Sequence, residues 1–397
     1  MEAQSLLYAD DLAKCVLCGG CKAVCPTYDE GLSESMGARG RIRLIRELNA
    51  GRLRPSAELN ERIFSCILCG ACSGTCPLGV HIPEAICRGR ERLKDSDRKR
   101  RYLRFLIKIA TTWPDPAFRA MRMARHVILP FLARRGMIPF VPDLPDAPFR
   151  RSEQVLRVNK RKGRVAVFTG CSVNYVFPHF GESLLNVLHR FGYEVILPKG
   201  ETCCGAPLRN LGLEGEAAEQ ARRNYRVFSR LKVDAILSLC PTCTHSLRTD
   251  YPRLIGKGLD KAMDISVFFA DILDATSPIM KSAVYHDPCH LRYNLGVTRE
   301  PRDIITRAGL DLLSVDDSGC CGFGGPFSLS FKDLSLSLRK KQAERLRSAG
   351  ADAVVTSCPG CILQLGQEIT DRPVLHLIEL IEEAYCLRTE QPSLLVV

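Results

Sequence analysis

The sequence has a single tryptophan, Trp113, only 7% aromatic residues, and no long apolar run. Its longest uncharged apolar stretches, at 127–133 and 265–270, fall far short of the ~18 residues needed to cross a bilayer, so no membrane span is expected. The opening MEAQSLLYADD has neither a basic n-region nor an apolar h-region, and no secretory leader is expected. No Gly-x-Gly-x-x-Gly follows a strand and opens a helix, since Gly322-Phe323-Gly324-Gly325 lies inside a cysteine loop. There is no P-loop and no serine or thiol triad. These absences exclude a flavin, nicotinamide or nucleotide site of this chain's own. Aromatic platforms and recognition motifs for nucleic acid are missing too, so no nucleic-acid partner is expected.

What is present is cysteine: 20 in 397 residues, in a chain that is 46% hydrophobic and 25% charged and long enough for several domains with their own cores. In a small secreted protein this density would suggest a disulfide framework. A long chain without a leader points instead to a reduced, cytosolic protein that uses thiolates as metal ligands. The net charge of +12 is uneven: residues 88–164 hold 22 Lys or Arg against 7 Asp or Glu, a local +15 that leaves the remainder at −3. That basic segment reads as a solvated linker or as a contact with an anionic membrane face or acidic partner.

The cysteines divide the chain. Eight lie between Cys15 and Cys76, Cys87 stands alone, ten follow between Cys171 and Cys361, and Cys386 closes the series. The empty stretch between contains seven of the 23 prolines. Tyr102, Phe105, Leu106 and Ile109 have helical spacing, and a second apolar and basic stretch spans 118–135. Both predict amphipathic helices whose apolar face packs on the core or, alternatively, on a lipid surface or a partner. Residues 139–148 read as an extended connector. Beyond it the chain repeats: Cys171, Cys203, Cys204, Cys240 and Cys243 recur as Cys289, Cys320, Cys321, Cys358 and Cys361, displaced by 117 or 118 residues. In each copy an apolar strand delivers the first cysteine, a second strand precedes the vicinal pair, and a third ends in Cys-x-x-Cys, with helix-period segments between. This predicts two α/β units with ligands at the carboxyl ends of mostly parallel strands.

Cys15-Val-Leu-Cys18-Gly-Gly-Cys21-Lys-Ala-Val-Cys25-Pro26 and Cys66-Ile-Leu-Cys69-Gly-Ala-Cys72-Ser-Gly-Thr-Cys76-Pro77 both have the spacing of a bacterial-type cubane [4Fe-4S] motif. Three close thiolates wrap one face of a cube, and the proline-flanked fourth serves the other cluster. The expected sets are Cys15, Cys18, Cys21 and Cys76 for one cluster, and Cys66, Cys69, Cys72 and Cys25 for the second. Zinc does not suit this run, because its sites pair cysteines two plus two. The 40 residues from Pro26 to Ser65, with Ile42, Leu44, Ile45 and Leu48 at helical spacing, resemble the α-helical ferredoxin domains of the succinate dehydrogenase, fumarate reductase and heterodisulfide reductase families.

Five thiolates per repeat exceed the four that tetrahedral zinc accepts, which favours a multinuclear centre. Thr202-Cys203-Cys204-Gly205 and Gly319-Cys320-Cys321-Gly322 resemble the "CCG" domains found in the B subunit of heterodisulfide reductase. That resemblance implies one or two noncubane [4Fe-4S] clusters, one held by Cys171, Cys203, Cys204, Cys240 and Cys243 and the other by Cys289, Cys320, Cys321, Cys358 and Cys361, with zinc as the alternative in one site. Cys240-Pro-Thr-Cys243 and Cys358-Pro-Gly-Cys361 also admit a redox-dithiol reading. Cys87 and Cys386 match no array and read as small buried hydrophobes. His286, His290 and His245 read as structural hydrogen-bonding residues, or as groups that tune a cluster or relay a proton.

The whole order resembles the iron–sulfur subunit of glycolate oxidase and related FAD-linked lactate or 2-hydroxyacid dehydrogenases, notably in Cys25-Pro26-Thr27-Tyr28 and Arg39-Gly40-Arg41-Ile42. The run Gly170-Cys171-Ser-Val-Asn174-Tyr175 is similar to the C subunit of anaerobic glycerol-3-phosphate dehydrogenase. The implied architecture is α+β and multidomain: an α-helical di-cluster ferredoxin domain at 1–98, a basic proline-rich helical linker at 99–160, and CCG domains at 161–280 and 281–397. The implied role is electron transfer within an oxidoreductase complex, from an FAD-containing dehydrogenase subunit to a quinone or another carrier, with peripheral contact at the inner face of the cell membrane through the linker. A heterodisulfide reductase-like subunit that cleaves a disulfide, and a non-redox zinc scaffold, are the competing expectations.

Overall fold

The computed structural model describes residues 12–136, 138, 140–150, 154–276, 280–315 and 319–386. In the first part of the chain, helices Ala38–Asn49, Ala57–Phe64 and Ile82–Leu93 pack around Ile42, Ile45, Leu48, Ile63 and Ile86, all at most 2% exposed. The apolar positions recur every three or four residues, so each helix turns one stripe inward. Ser56 caps the second of these helices by accepting the Leu59 N–H.

Strands β1 (Gln154–Leu156), β2 (Gly163–Phe168), β3 (Tyr193–Leu197), β4 (Ala235–Ser238) and β5 (Ala262–Asp264) form a sheet of order β1-β3-β2-β4-β5. Strands β6 (Ser282–His286), β7 (Asp311–Leu313), β8 (Ala353–Thr356) and β9 (Val374–His376) form a second, β7-β6-β8-β9. Only β1 is antiparallel. The register repeats with the sequence: Phe168 pairs with Ser238 in the first sheet, and His286 with Thr356 in the second. In both, the last strand ends in the cap of the next helix, Asp264 before Ile265–Ala270 and His376 before Leu377–Tyr385. The two sheets share a core, with Val165, Leu184 and Leu237 from one joined to Tyr285, Ile305 and Ile381 from the other.

The connecting segment overturns the core-facing expectation for its helices. Helix Arg101–Thr112 buries only Arg104 and Thr111, while Tyr102 and Phe105 are 71% and 58% exposed. Arg104 donates to the carbonyls of Lys94, Asp97 and Leu211 and pairs with Asp97 at 2.7 Å. A guanidinium with so many fixed acceptors holds the inner side of the helix, and the apolar stripe faces out. Helices Pro114–Ala124 and Ile128–Arg134 bury no residue at all. The first of them is fastened to the β1–β5 unit by Phe118 stacked on Tyr175 at 4.3 Å and by the Tyr175 hydroxyl donating to Asp115. Among the described residues no helix is long and apolar enough to cross a membrane.

Candidate metal centres

Both four-cysteine loops adopt the same unusual backbone. Leu17 and Leu68, each just before the second cysteine of its motif, have φ of 59° and 61°, and the glycines after that cysteine, Gly19 and Gly70, have φ of 92° and 84°. Left-handed leucines are costly and persist only where the surroundings over-determine them, which in ligand loops aims backbone N–H groups and side chains at a common centre. Gly70 has a second reason to lack a side chain: a Cβ there would stand 2.0 Å from Asn294 Oδ1.

Cys25, Cys66, Cys69 and Cys72 line one small cavity together with Arg41. Burial pushes the Cys72 thiol well up, reinforced by Cys66 and Cys25. This donor set, four sulfurs around one space beside a buried cation, fits a dianionic cluster far better than four free thiols. In the other set Cys18 is exposed, Cys15 and Cys21 are neighbours, and Cys76 packs against the same helical core.

The residues around these loops explain the run Arg39-Gly40-Arg41-Ile42. Arg39 donates to the Leu17 carbonyl at 3.2 Å and pairs with Glu34 at 2.6 Å, and its hydrogen bond holds the Glu34 carboxyl down at about 2. Gly40 lies against the Glu34 carbonyl. Arg41, fully buried, donates to Thr27 Oγ1, Ser65 Oγ and the Arg62 carbonyl, and Thr27 Oγ1 is 3.4 Å from Cys25 Sγ. Arg90, 3% exposed, donates to the carbonyls of Cys66, Ile63 and Phe64. Sequence reasoning missed both of these buried arginines beside the cysteine loops; only the position of Arg41 in a family-like run hinted at one.

In the α/β part every array cysteine follows a strand. Cys171 follows β2, Cys203 and Cys204 follow β3, and Cys240 and Cys243 follow β4; Cys289, Cys320, Cys321, Cys358 and Cys361 repeat this after β6, β7 and β8. The thiols contact one another in sequence: Cys171, Cys203, Cys204, Cys243, Cys240 in the first repeat, and Cys289, Cys320, Cys321, Cys361, Cys358 in the second. The Cys321 and Cys361 sulfurs are 3.3 Å apart. The strings join where Cys240 meets Cys358. Hydrogen bonds from Cys203 and Cys243 push the Cys204 thiol well down, while those two are pushed well up. Five sulfurs gathered this closely, most of them buried, make the donor set that a multinuclear metal centre would take, each as its deprotonated thiolate.

The ferredoxin loops and the second repeat also meet. Burial raises the Cys69 thiol, with Cys320 as its strongest neighbouring charge, and Cys69, Cys320, Ile67 and Phe327 share a small apolar cluster edged by Cys289. Cys87 lies in the helical core, its thiol pushed to about 12 by burial, and Cys386 is half-buried. His245 and His290 stack at 5.8 Å between the two repeats, and Thr242 Oγ1 is 2.8 Å from His290 Nδ1.

Helical ligand loops joined to two cysteine-lined α/β units define an iron–sulfur protein of the electron-transfer class. Its sequence matches the model of the 4Fe-4S dicluster domain over residues 11–80 and that of the cysteine-rich CCG domain over 165–248 and 283–366. It is 32% identical to the B subunit of the CoM/CoB fumarate reductase of Methanothermobacter marburgensis, across 94% of this chain and 72% of that one. It is 29% identical to the glycolate oxidase iron-sulfur subunit of Escherichia coli K12 (97% and 95%) and 26% identical to the D subunit of the dihydromethanophenazine:CoB–CoM heterodisulfide reductase of Methanosarcina barkeri (96% and 95%). The chain belongs to this family of oxidoreductase iron–sulfur subunits, in which a dicluster domain precedes two cysteine-rich domains.

Proposed function

We propose that the chain carries electrons for a flavin-dependent dehydrogenase of the glycolate or lactate type, taking them from an FAD-containing partner and delivering them to a quinone or another carrier. In this reading Cys15, Cys18, Cys21 and Cys76 hold one cubane [4Fe-4S] cluster, and Cys66, Cys69, Cys72 and Cys25 the other. Cys171, Cys203, Cys204, Cys240 and Cys243 hold a noncubane cluster, and Cys289, Cys320, Cys321, Cys358 and Cys361 its counterpart. Bound clusters supply one-electron transfer. The protein holds the sites in series, with Cys18 the one exposed residue among the array cysteines. The observation that carries the proposal is the series of thiols from the ferredoxin loops, where Cys69 shares an apolar cluster with Cys320, to the meeting of Cys358 and Cys240 between the repeats. Anaerobically prepared protein should contain ~16 iron and matching labile sulfide per chain, or ~12 with one zinc if one repeat holds zinc. Protein with no labile sulfide would sink the proposal.

The likeness to the D subunit of heterodisulfide reductase favours a second reading, cleavage of a disulfide at the paired repeats. Anaerobic pull-down with cofactor analysis separates the two: the first requires a co-purifying flavin that a 2-hydroxyacid reduces, the second reduction of a heterodisulfide.

The linker helices carry the membrane contact in this proposal. Tyr102, Phe105, Leu106, Trp113, Met123, Val127, Ile128 and Phe131 are all exposed, within a segment of high positive charge. Such a face suits the boundary of an anionic bilayer, with aromatic rings at headgroup depth and lysines and arginines on the phosphates. The protein should bind vesicles containing phosphatidylserine, release as salt rises, and lose at least tenfold in affinity on F105S/W113S/F131S. Equal binding to neutral vesicles, or no effect of the triple substitution, would refute the contact.

A further inference from the structure

The two cysteine-rich repeats match in their cysteine spacing, sheet register and thiol order, yet among the positions beside the sulfurs where they differ, one exchanges an apolar ring for an imidazole. Where β2 of the first repeat ends in Phe168, β6 of the second ends in His286. Phe168 lies in an apolar cluster with Cys203, Cys204, Cys240 and Cys243 and packs against Phe228 at 5.4 Å. His286, 1% exposed, brings an imidazole nitrogen to within 4.8 Å of the Cys321 and Cys361 sulfurs, which are 3.3 Å from each other. Ligands 2.0–2.3 Å from one tetrahedral metal lie ~3.5–3.8 Å apart, so these three donors can share an ion after small side-chain rotations.

We propose that His286 is a nitrogen donor to the metal centre of the second repeat, so that the two repeats are chemically unequal. The inference rests on the reading that the arrays hold metal. Three features support it beyond proximity. The imidazole is held from outside: the Gln342 side-chain amide, itself fully buried, lies 3.2 Å from His286 Nδ1, and with its oxygen turned to that side it accepts the Nδ1–H that a histidine ligating through Nε2 carries. The matching residue of the first repeat, Asn224, turns instead to the Cys203 carbonyl and the Tyr251 hydroxyl, where there is no imidazole to hold. And a buried imidazole costs more to accommodate than the phenylalanine that fills the same place in the sister repeat, unless it has a polar task there. Where a neutral nitrogen takes the place of a thiolate at one metal ion, the negative charge at that ion falls and the potential of an iron cluster rises relative to an all-sulfur one; mixed sulfur and nitrogen donors suit zinc equally well. The donor is therefore assigned without regard to which metal the repeat takes.

The test uses the full chain, prepared anaerobically with its metals and labelled with [15N]histidine. If the second repeat holds iron, pulsed EPR should detect a histidine nitrogen coupled to a cluster, with the coupling lost in His286→Phe and kept in His290→Gln at unchanged iron and sulfide. The phenylalanine variant copies the side chain the first repeat tolerates; should it fail to fold, loss of the coupling in His286→Cys, with a downward shift of one cluster potential, reads the same point. If the repeat holds zinc, zinc-edge absorption should show a nitrogen scatterer that the His286→Phe protein lacks. No histidine coupling, a coupling that survives at position 286 as phenylalanine, or an all-sulfur zinc shell overturns this inference while leaving the electron-carrier reading intact. A second repeat without any metal also overturns this inference, whereas protein without labile sulfide overturns the electron-carrier reading as well.

Discussion

Replacing Arg209 with methionine should cost the folded chain roughly 3–5 kcal/mol, the usual penalty for stripping a buried ion pair of one partner. Arg209 follows the Cys203-Cys204-Gly205 turn and is 6% exposed. It donates to Asp250 at 2.6 Å within its own repeat and to Glu84 on helix Ile82–Leu93. It is thus the hinge pin between the ferredoxin part and the first cysteine-rich unit. Arg253 reaches the same Glu84 oxygen at 3.4 Å, and Arg88 bridges Glu84 and Glu214 at 3.2 and 2.7 Å. Burial alone would raise the Glu84 and Asp250 carboxyls, but Arg209, joined by Arg253 and Arg88 or by His245, holds both below their ordinary values. The pH dependence follows. A carboxyl depressed in the folded state stabilises above its unfolded pKa, and that contribution disappears as pH falls through the folded value. Without Arg209 both carboxyls rise, so the deficit of Arg209→Met is greatest at neutral pH and shrinks as acid protonates the orphaned pair. Anaerobic urea titrations at two pH values, read by loss of cluster absorbance, measure this. A deficit that is small, or that grows on acidification, would show that the network is not what joins the two parts. Arg209→Lys should recover part of the loss but not the two-pronged geometry.

How much of this was legible beforehand depended on the range of the interaction. Ligand spacing is local, so both four-cysteine loops and the 118-residue register of the repeats could be read directly, and the strands delivering Cys171, Cys240, Cys289 and Cys358 followed from their apolar runs. Strands β5 and β9 were not foreseen: three residues each, they are too short for alternation to register, and they exist because β4 and β8 offer an open parallel edge. The stripe of Tyr102, Phe105 and Leu106 was recognised, but periodicity tells which residues share a face and not which way the face turns. That was decided by Arg104 and its carbonyl acceptors. Contacts across domains, such as Cys69 with Cys320 or Gly70 with Asn294, leave no trace in local spacing. Buried arginines are the hardest case, because charge is by default a surface property and only a three-dimensional set of acceptors reverses that default.

Arg41 turns that reversal into a second large effect. Its three hydrogen bonds tie residues near Cys25 and Cys66, cysteines of different motifs, to one helix. Its positive charge lies on the wall of the cavity those cysteines share with Cys69 and Cys72. Reduction adds one negative charge to whatever cluster these four thiolates hold, and a fixed cation favours that state. At a separation on the order of 8 Å and an effective dielectric of about 20, the attraction is roughly 2 kcal/mol, equivalent to about 90 mV for a one-electron couple. Arg41→Met should therefore lower the midpoint potential of one cubane by some such amount, leave the other nearly unmoved, and weaken iron retention because Thr27 and Ser65 lose their tie. Arg41→Lys keeps the charge and should retain most of the potential while losing the paired contacts to Thr27 and Ser65. Redox titration followed by EPR on the full chain distinguishes the electrostatic from the merely structural role. If Arg41→Met retains its iron and both cubane potentials stay where they were, the cation is packing the loop and not poising the cluster.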